Sequence, residues 1–357
     1  MSAFFEPRTL GLVGGVLVLL AAATFIIRAL RARNDSGLNT AILETFRMRV
    51  HAWWVLCSIL AATFFIGQTA TVVLSGLGAF WALREFITLT PTRPGDHRTL
   101  FLVFFVITPM QFVLVGRASY PLYSIVIPVY AFLIIPGLIA IAGDYKRFLE
   151  RTAKIEAGLL ICVYCLSYAP ALLTLQLEKT PPPAVDGAVS AGSPAPVTAQ
   201  LERTPEATLG PGANTRLLFF FVLMVQLSDA LQYAWAQIPS RHVIAPSINP
   251  TKTWEGLLGG SASVTLIGGV LWWATPFQGS NWWMAAAMSL VISVMGFAGG
   301  LTLSAIKRDR GVRDYGTLVE GHGGLLDRID SLCFCAPVFF HFTLYWLKMQ
   351  GVKQPWE

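Results

Sequence analysis

Residues 304 to 330 hold Lys307, Arg308, Arg310, Arg313 and Arg328 against Asp309, Asp314, Glu320, Asp327 and Asp330, directly ahead of an apolar run. Basic residues alone satisfy membrane topology, so this many acids beside them asks for another explanation. The mixture suits a site in which carboxylates hold a divalent cation and cationic side chains hold phosphates. Spacing sharpens the case. Asp327 and Asp330 are three apart, so a helix beginning near Leu325 carries both on one face of its first turn, where the helix dipole favours anions. Gly323 and Gly324 let a ligand approach the backbone closely, and His322 is placed to contact a phosphate or to fix the loop. Each feature alone is ordinary, since acids at a helix start are common caps and a lone histidine is usually structural.

A second segment with chemical potential is "NPTKTWEG", residues 249 to 256. Thr253 reads as a helix cap, and the backbone N–H groups behind it would suit a phosphate. Lys252 and Glu255 flank it. Upstream, Asp229 lies inside an apolar run; a carboxylate at membrane depth is costly and serves either a functional site or a helix-packing hydrogen bond.

The elements that must position these residues follow from composition. The chain is 54% hydrophobic and 13% charged, where soluble domains carry about 25% charged residues. Apolar runs recur near residues 9–30, 52–68, 69–92, 99–116, 121–143, 156–176, 216–237, 256–274, 282–305 and 331–348. Each is long enough to cross hydrocarbon as a helix, the form that satisfies backbone hydrogen bonds in lipid. The predicted fold is an all-α integral membrane protein of about ten transmembrane helices with a C-terminal catalytic helix bundle.

Lysine and arginine set the orientation. The segments "RALRARND", "TPTRPGDHR" and "DYKRFLERTAK" follow the first, third and fifth spans, which puts those exits and both charged segments in the cytoplasm. Four regions result. Residues 1–51 form a first span and an interfacial segment, whose Ile42, Phe46 and Val50 recur at helical spacing beside Arg47 and Arg49. Residues 52–176 form an N-terminal bundle. Residues 177–215, rich in Pro and Ala, form a flexible external loop. Residues 216–357 form the catalytic region.

Several function classes fall away. The net charge of +6 comes from short basic segments between apolar runs and is no nucleic-acid footprint. The five cysteines lie within apolar runs, so the "CVYC" spacing reads as small packed side chains. The first run is long and ends in "RALRAR", which suits a retained span rather than a cleaved signal. There is no G-x-x-x-x-G-K-[ST] loop for a Walker-type ATPase and no nucleophile elbow.

The pattern formed by Ser304, Ile306, Lys307, Arg308, Arg313, Asp314, Gly316, His322, Gly323, Gly324, Leu325, Asp327, Arg328, Ile329 and Asp330 resembles that of the phosphatidate cytidylyltransferases, or CDP-diacylglycerol synthases. The "NPTKTWEG" stretch is similar to that family's Ser-Pro-Lys-Lys-Thr-x-Glu-Gly segment. The specific resemblance spans residues 216 to 348; the N-terminal half is similar only in being a bundle of spans. It implies Mg2+-dependent transfer of CMP from CTP to phosphatidate at the cytoplasmic face of a bacterial inner membrane, and it allows a second ion and a homodimer. On that basis Asp314, Asp327, Asp330 and Asp229 are the metal-site carboxylates. Lys307, Arg308, Arg313, His322 and Lys252 are catalytic. Asn249, Thr253, Glu255, Gly323, Gly324 and Arg328 bind substrate. Arg313 stands where the family has lysine, and Val319, Glu320, Asn249 and Thr251 also depart from the pattern, which bears on the lipid used. The competing classes are a catalytically altered homologue acting as a lipid- or nucleotide-binding accessory protein, and a transporter.

Overall fold

The computed structural model describes residues 7–32, 47, 50, 54, 67–89, 92–177, 212–238, 242–277, 281–316 and 323–357. His322, Val319 and Glu320, and nearly all of the predicted span at 52–68, of the interfacial segment and of the external loop lie outside them. Nine long helices are described: α1 (Pro7–Ala32), α2 (Gln68–Thr88), α3 (Pro94–Gly116), α4 (Tyr120–Ile141), α5 (Phe148–Thr174), α6 (Ala213–Trp235), α7 (Trp254–Val270), α8 (Trp282–Asp309) and α9 (Leu326–Met349). Eight of them are long and apolar enough to cross a membrane. The exception is α7, an apolar helix of 17 residues. The protein is an all-α integral membrane protein.

Strands are confined, among the described residues, to a hairpin of β1 (Val243–Ala245) and β2 (Asn249–Thr253), paired antiparallel with Val243 opposite Thr253 and Ala245 opposite Asn249. Sequence periodicity did not indicate it, because strands of three and five residues carry too little alternation to register. The hairpin runs directly into α7. Thr253 is the hinge, accepting a 3.0 Å hydrogen bond at Oγ1 from Gly256 N and so capping the helix as its residue type predicts.

Side chains fall into two buried clusters. One joins α1, α6, α7, α8 and α9 with the end of α5, and takes in Val115 of α3 and Tyr123 of α4. The other is built on α2, α3, α4 and α5 but also takes in Leu303 of α8, Tyr315, and Leu326 and Cys333 of α9. Both clusters therefore draw on α8 and α9 as well as on α3, α4 and α5. In lipid, apolar burial does not drive helices together, so close packing has to come from small residues. Gly260 of α7 provides it against α6: a Cβ there would come within 2.8 Å of Gln232 N. Buried hydrogen bonds add direction to the contact. Gln232 Nε2 donates toward Ser228 Oγ at 3.0 Å and toward Ser293 O at 3.1 Å, tying α6 to α8.

At one end of the N-terminal bundle, the Arg151 guanidinium is buried against Asp96 and also donates to the Asp144 and Lys146 carbonyls. Arg93 closes the network through a 3.1 Å ion pair with Asp144. A hydrogen bond from Arg93 holds the Asp144 carboxyl below the usual carboxylate range.

Candidate functional site

The site lies where the end of α6, the hairpin, the end of α8 and the start of α9 come together. The end of α8 is set by Gly311, whose φ of 70° takes the left-handed conformation that glycine accepts at low cost. Gly311 N donates to Arg308 O and Val312 N donates to Lys307 O, each at 3.0 Å, which is the Schellman closure of a helix. That closure fixes Lys307 and Arg308 in the last turn, where the dipole favours cations.

Lys307 is committed. Its Nζ lies 2.7 Å from Asp327 Oδ1 and 5.4 Å from the centre of the Tyr315 ring. Asp327 Oδ2 accepts from Tyr315 N at 2.8 Å and from Gly324 N at 2.9 Å. With three donors on two oxygens, this carboxylate clamps the loop between α8 and α9. Tyr315 anchors the same loop: it is 3% exposed, its ring stacks on Phe86, and its hydroxyl donates to Leu303 O at 3.0 Å. Burial pushes the Tyr315 hydroxyl pKa upward, so it remains a donor.

Asp330 faces other partners. Because α9 starts at Leu326, only Asp327 lies in the first turn, and Asp330 falls in the next. The sequence had placed both acids in one turn; Asp330 is the fifth residue of the helix, beyond the roughly 3.6 residues of its first turn. Asp330 Oδ2 and Lys252 Nζ converge over Gly300 of α8, at 3.5 and 3.4 Å from where its Cβ would be. Lys252 Nζ also stands 4.9 Å over the Phe297 ring and 3.5 Å from Gln232 Oε1. Asp229 joins through Ser331, whose Oγ donates to Asp229 Oδ1 at 3.0 Å and lies 3.4 Å from Asp330 Oδ1. The carboxylates of Asp229 and Asp330, from different helices, thus share one hydroxyl beside one ammonium.

The remaining predicted residues divide. Asn249 Nδ2 donates to Ser304 Oγ at 3.1 Å, and its Oδ1 accepts from Thr251 N, fastening the hairpin to α8. The Thr253 hydroxyl is engaged by the α7 cap. Glu255 accepts from His242 N at 2.9 Å and closes the hairpin's other end. Arg308 Nε donates to Ile248 O at 3.1 Å, at the hairpin turn. These four shape the site's frame. Arg313 and Asp314 are exposed and bond to none of the described residues, although Asp314 Oδ1 would lie 3.5 Å from a Cβ on Gly323. Arg328 is exposed on the first turn of α9. Among the described residues, no three His, Cys, Asp or Glu side chains form a group that could hold a metal by themselves.

Sequence reasoning missed Glu85 of α2. It is 5% exposed, and its carboxylate accepts from Leu325 N at 3.0 Å, Leu326 N at 2.8 Å and Trp81 Nε1 at 3.1 Å. The space above Gly324, expected to be open to a ligand, is filled by Glu85: a Cβ on Gly324 would meet Glu85 Oε2 at 2.4 Å. An acid inside an apolar run was the available signal, the same one that singled out Asp229.

A family model described as the cytidylyltransferase family matches residues 47–346. The match starts far upstream of residue 216, where the motif resemblance begins, and so takes in α2 and its Glu85. The uncharacterized protein YnbB of Escherichia coli strain K12 is 32% identical over 334 residues, 92% of this chain and 96% of that protein. Phosphatidate cytidylyltransferases of Staphylococcus haemolyticus and Staphylococcus epidermidis are 35% and 36% identical over 132 and 123 residues. Those two matches cover 37% and 34% of this chain, and it spans about half the length of each enzyme, 50% and 47%.

Proposed function

The chain belongs to the cytidylyltransferase family, and from that premise we propose that it transfers CMP from CTP to phosphatidate, giving CDP-diacylglycerol and pyrophosphate in phospholipid synthesis. The observation that carries this reading is the convergence of Lys252 and Asp330 over Gly300. It joins two segments far apart in sequence, each similar to a motif of lipid cytidylyltransferases, into one cation-and-carboxylate face at the end of a membrane bundle.

The chemistry asks little of a general base. A lipid phosphate oxygen is already anionic when it attacks the α-phosphorus of CTP; the new P–O bond forms as the α–β bridge breaks and pyrophosphate leaves. The barrier lies in bringing two polyanions together and in the charge on the leaving group, which fixed cations lower. Lys252 is the cation already aimed at the carboxylate pair, and exposed Arg313 is available for a phosphate. Lys307 acts through Asp327 to hold the loop.

Mg2+ fits the donor set. This ion is commonly bound by one or two carboxylates together with substrate phosphates, keeping several waters, rather than by an all-protein cage. Asp229 and Asp330 would hold it, with exposed Asp314 nearby in sequence to the clamp. Asp327 would join them only by releasing Lys307. When bound, the ion neutralises phosphate charge. The basic segments of the sequence favour a cytoplasmic site at a bacterial inner membrane.

The test is incorporation of radiolabelled CTP into lipid by purified protein in detergent, with phosphatidate, with and without Mg2+. Mg2+-dependent CDP-lipid is expected. Mg2+-dependent CTP binding without any product would sink the transferase reading for this lipid and favour another acceptor or an accessory role. Absence of CTP binding would leave the transporter class.

A further inference from the structure

Helix α9 has no cap of its own. Leu325 stands at its N-cap and carries no side-chain acceptor, yet the first backbone N–H groups of any helix lack partners within it. Two of them, on Leu325 and Leu326, are met by Glu85, a residue 240 positions earlier on α2. An ordinary N-cap side chain accepts from amides two or three residues further on and would not reach these two. A buried carboxylate brought from the other half of the molecule is an expensive way to meet them, because it must be stripped of water.

The surroundings are built around this group. Gly316 and Gly324 bracket the segment ahead of α9, and a Cβ on either would come within 2.9 or 2.4 Å of a Glu85 oxygen. Trp81, one turn back on α2, donates its indole N–H to the same carboxylate and fixes its rotamer. Asp327 and Asp330 follow Leu326 within the next turn, so their placement depends on where α9 begins.

Resting on the reading of the site given above, we propose that Glu85 is a positioning residue for the transfer: by holding the first amides of α9 it sets the placement of Asp327 and Asp330, and so couples the N-terminal bundle to the affinity of the site for its divalent cation. It touches neither substrate nor ion.

Two readouts on purified wild type and Glu85→Gln test this. The first is hydrogen exchange at residues 324–330, where the amides of Leu325 and Leu326 should lose protection in the variant. The second is the midpoint of the Mg2+ titration of CDP-lipid formation, which does not depend on how much enzyme is folded. It should rise roughly 10- to 100-fold, as expected when a group that orients metal-site ligands is removed. Unchanged exchange would overturn the contact. Faster exchange with an unchanged midpoint would reduce Glu85 to a structural cap and overturn the proposal. If Glu85→Gln does not fold, Trp81→Phe replaces it: a smaller rise in the midpoint supports the proposal, and none overturns it. A wild type that makes no CDP-lipid overturns the proposed function instead, and the midpoint is then read from Mg2+-dependent CTP binding.

Discussion

Lys307 and Asp327 are joined by a 2.7 Å ion pair between the last turn of α8 and the first turn of α9, and both side chains are nearly buried, at 15% and 11% exposed. The pair spans the loop that Tyr315 pins into the N-terminal core. The sequence suggested direct contact of these residues with phosphate and metal; in the structure their ion pair holds the loop closed.

Removing one partner of a buried pair leaves an uncompensated charge, at a cost of about 3–5 kcal/mol. We expect Lys307→Met and Asp327→Asn each to lower the unfolding temperature in detergent, with Asp327→Asn also freeing the amides of Tyr315 and Gly324. The double variant should lose less than the sum of the two, with a coupling of about 1 kcal/mol or more. Strictly additive losses would contradict the strut.

Asp330 should separate cleanly from Asp327. Among the described residues it makes no ion pair with the loop, so Asp330→Asn should leave thermal stability close to wild type while abolishing Mg2+-dependent turnover. Asp229→Asn should behave alike, because its carboxylate meets the same Ser331 hydroxyl. Full Mg2+ dependence in either variant would remove that carboxylate from the proposed ion site.

Arg313 offers the opposite test. It is exposed and bonded to none of the described residues, so its substitutions should not touch stability. Loss of one fixed cation at a developing phosphate charge typically costs about 100-fold or more in turnover. Arg313→Ala should approach that loss, and Arg313→Lys should recover most of the activity. Equal activity in all three proteins would show that Arg313 faces water only.

Much of this site was readable because its signals are local. The Thr253 cap, the cations at the end of α8 and the acid inside α6 each declare themselves within a few residues, and span lengths follow from the thickness of hydrocarbon. What escaped the sequence is the pairing of distant parts. Nothing near "WALREF" announces that Glu85 reaches amides 240 residues away, and nothing near "RDYG" announces that Tyr315 enters a core built by α2 to α5. Asp327 and Asp330 looked equivalent by spacing. Their partners, Lys307 for one and Lys252 with Asp229 for the other, differ because the end of α8 and the hairpin approach α9 from different directions. Asn249, Thr253 and Glu255 were read as ligand contacts from the same segment that gave Lys252, and in the folded protein their polar atoms hold the hairpin.

The anchoring of Tyr315, together with Leu326 and Cys333, inside the core of the other half has a consequence for how the molecule holds together. Among the described residues, the halves grip each other through α5 against α9 and through Glu85. Two separately translated pieces, cut between residues 178 and 211, would therefore each carry one side of those contacts into the bilayer, where the pieces would find one another again.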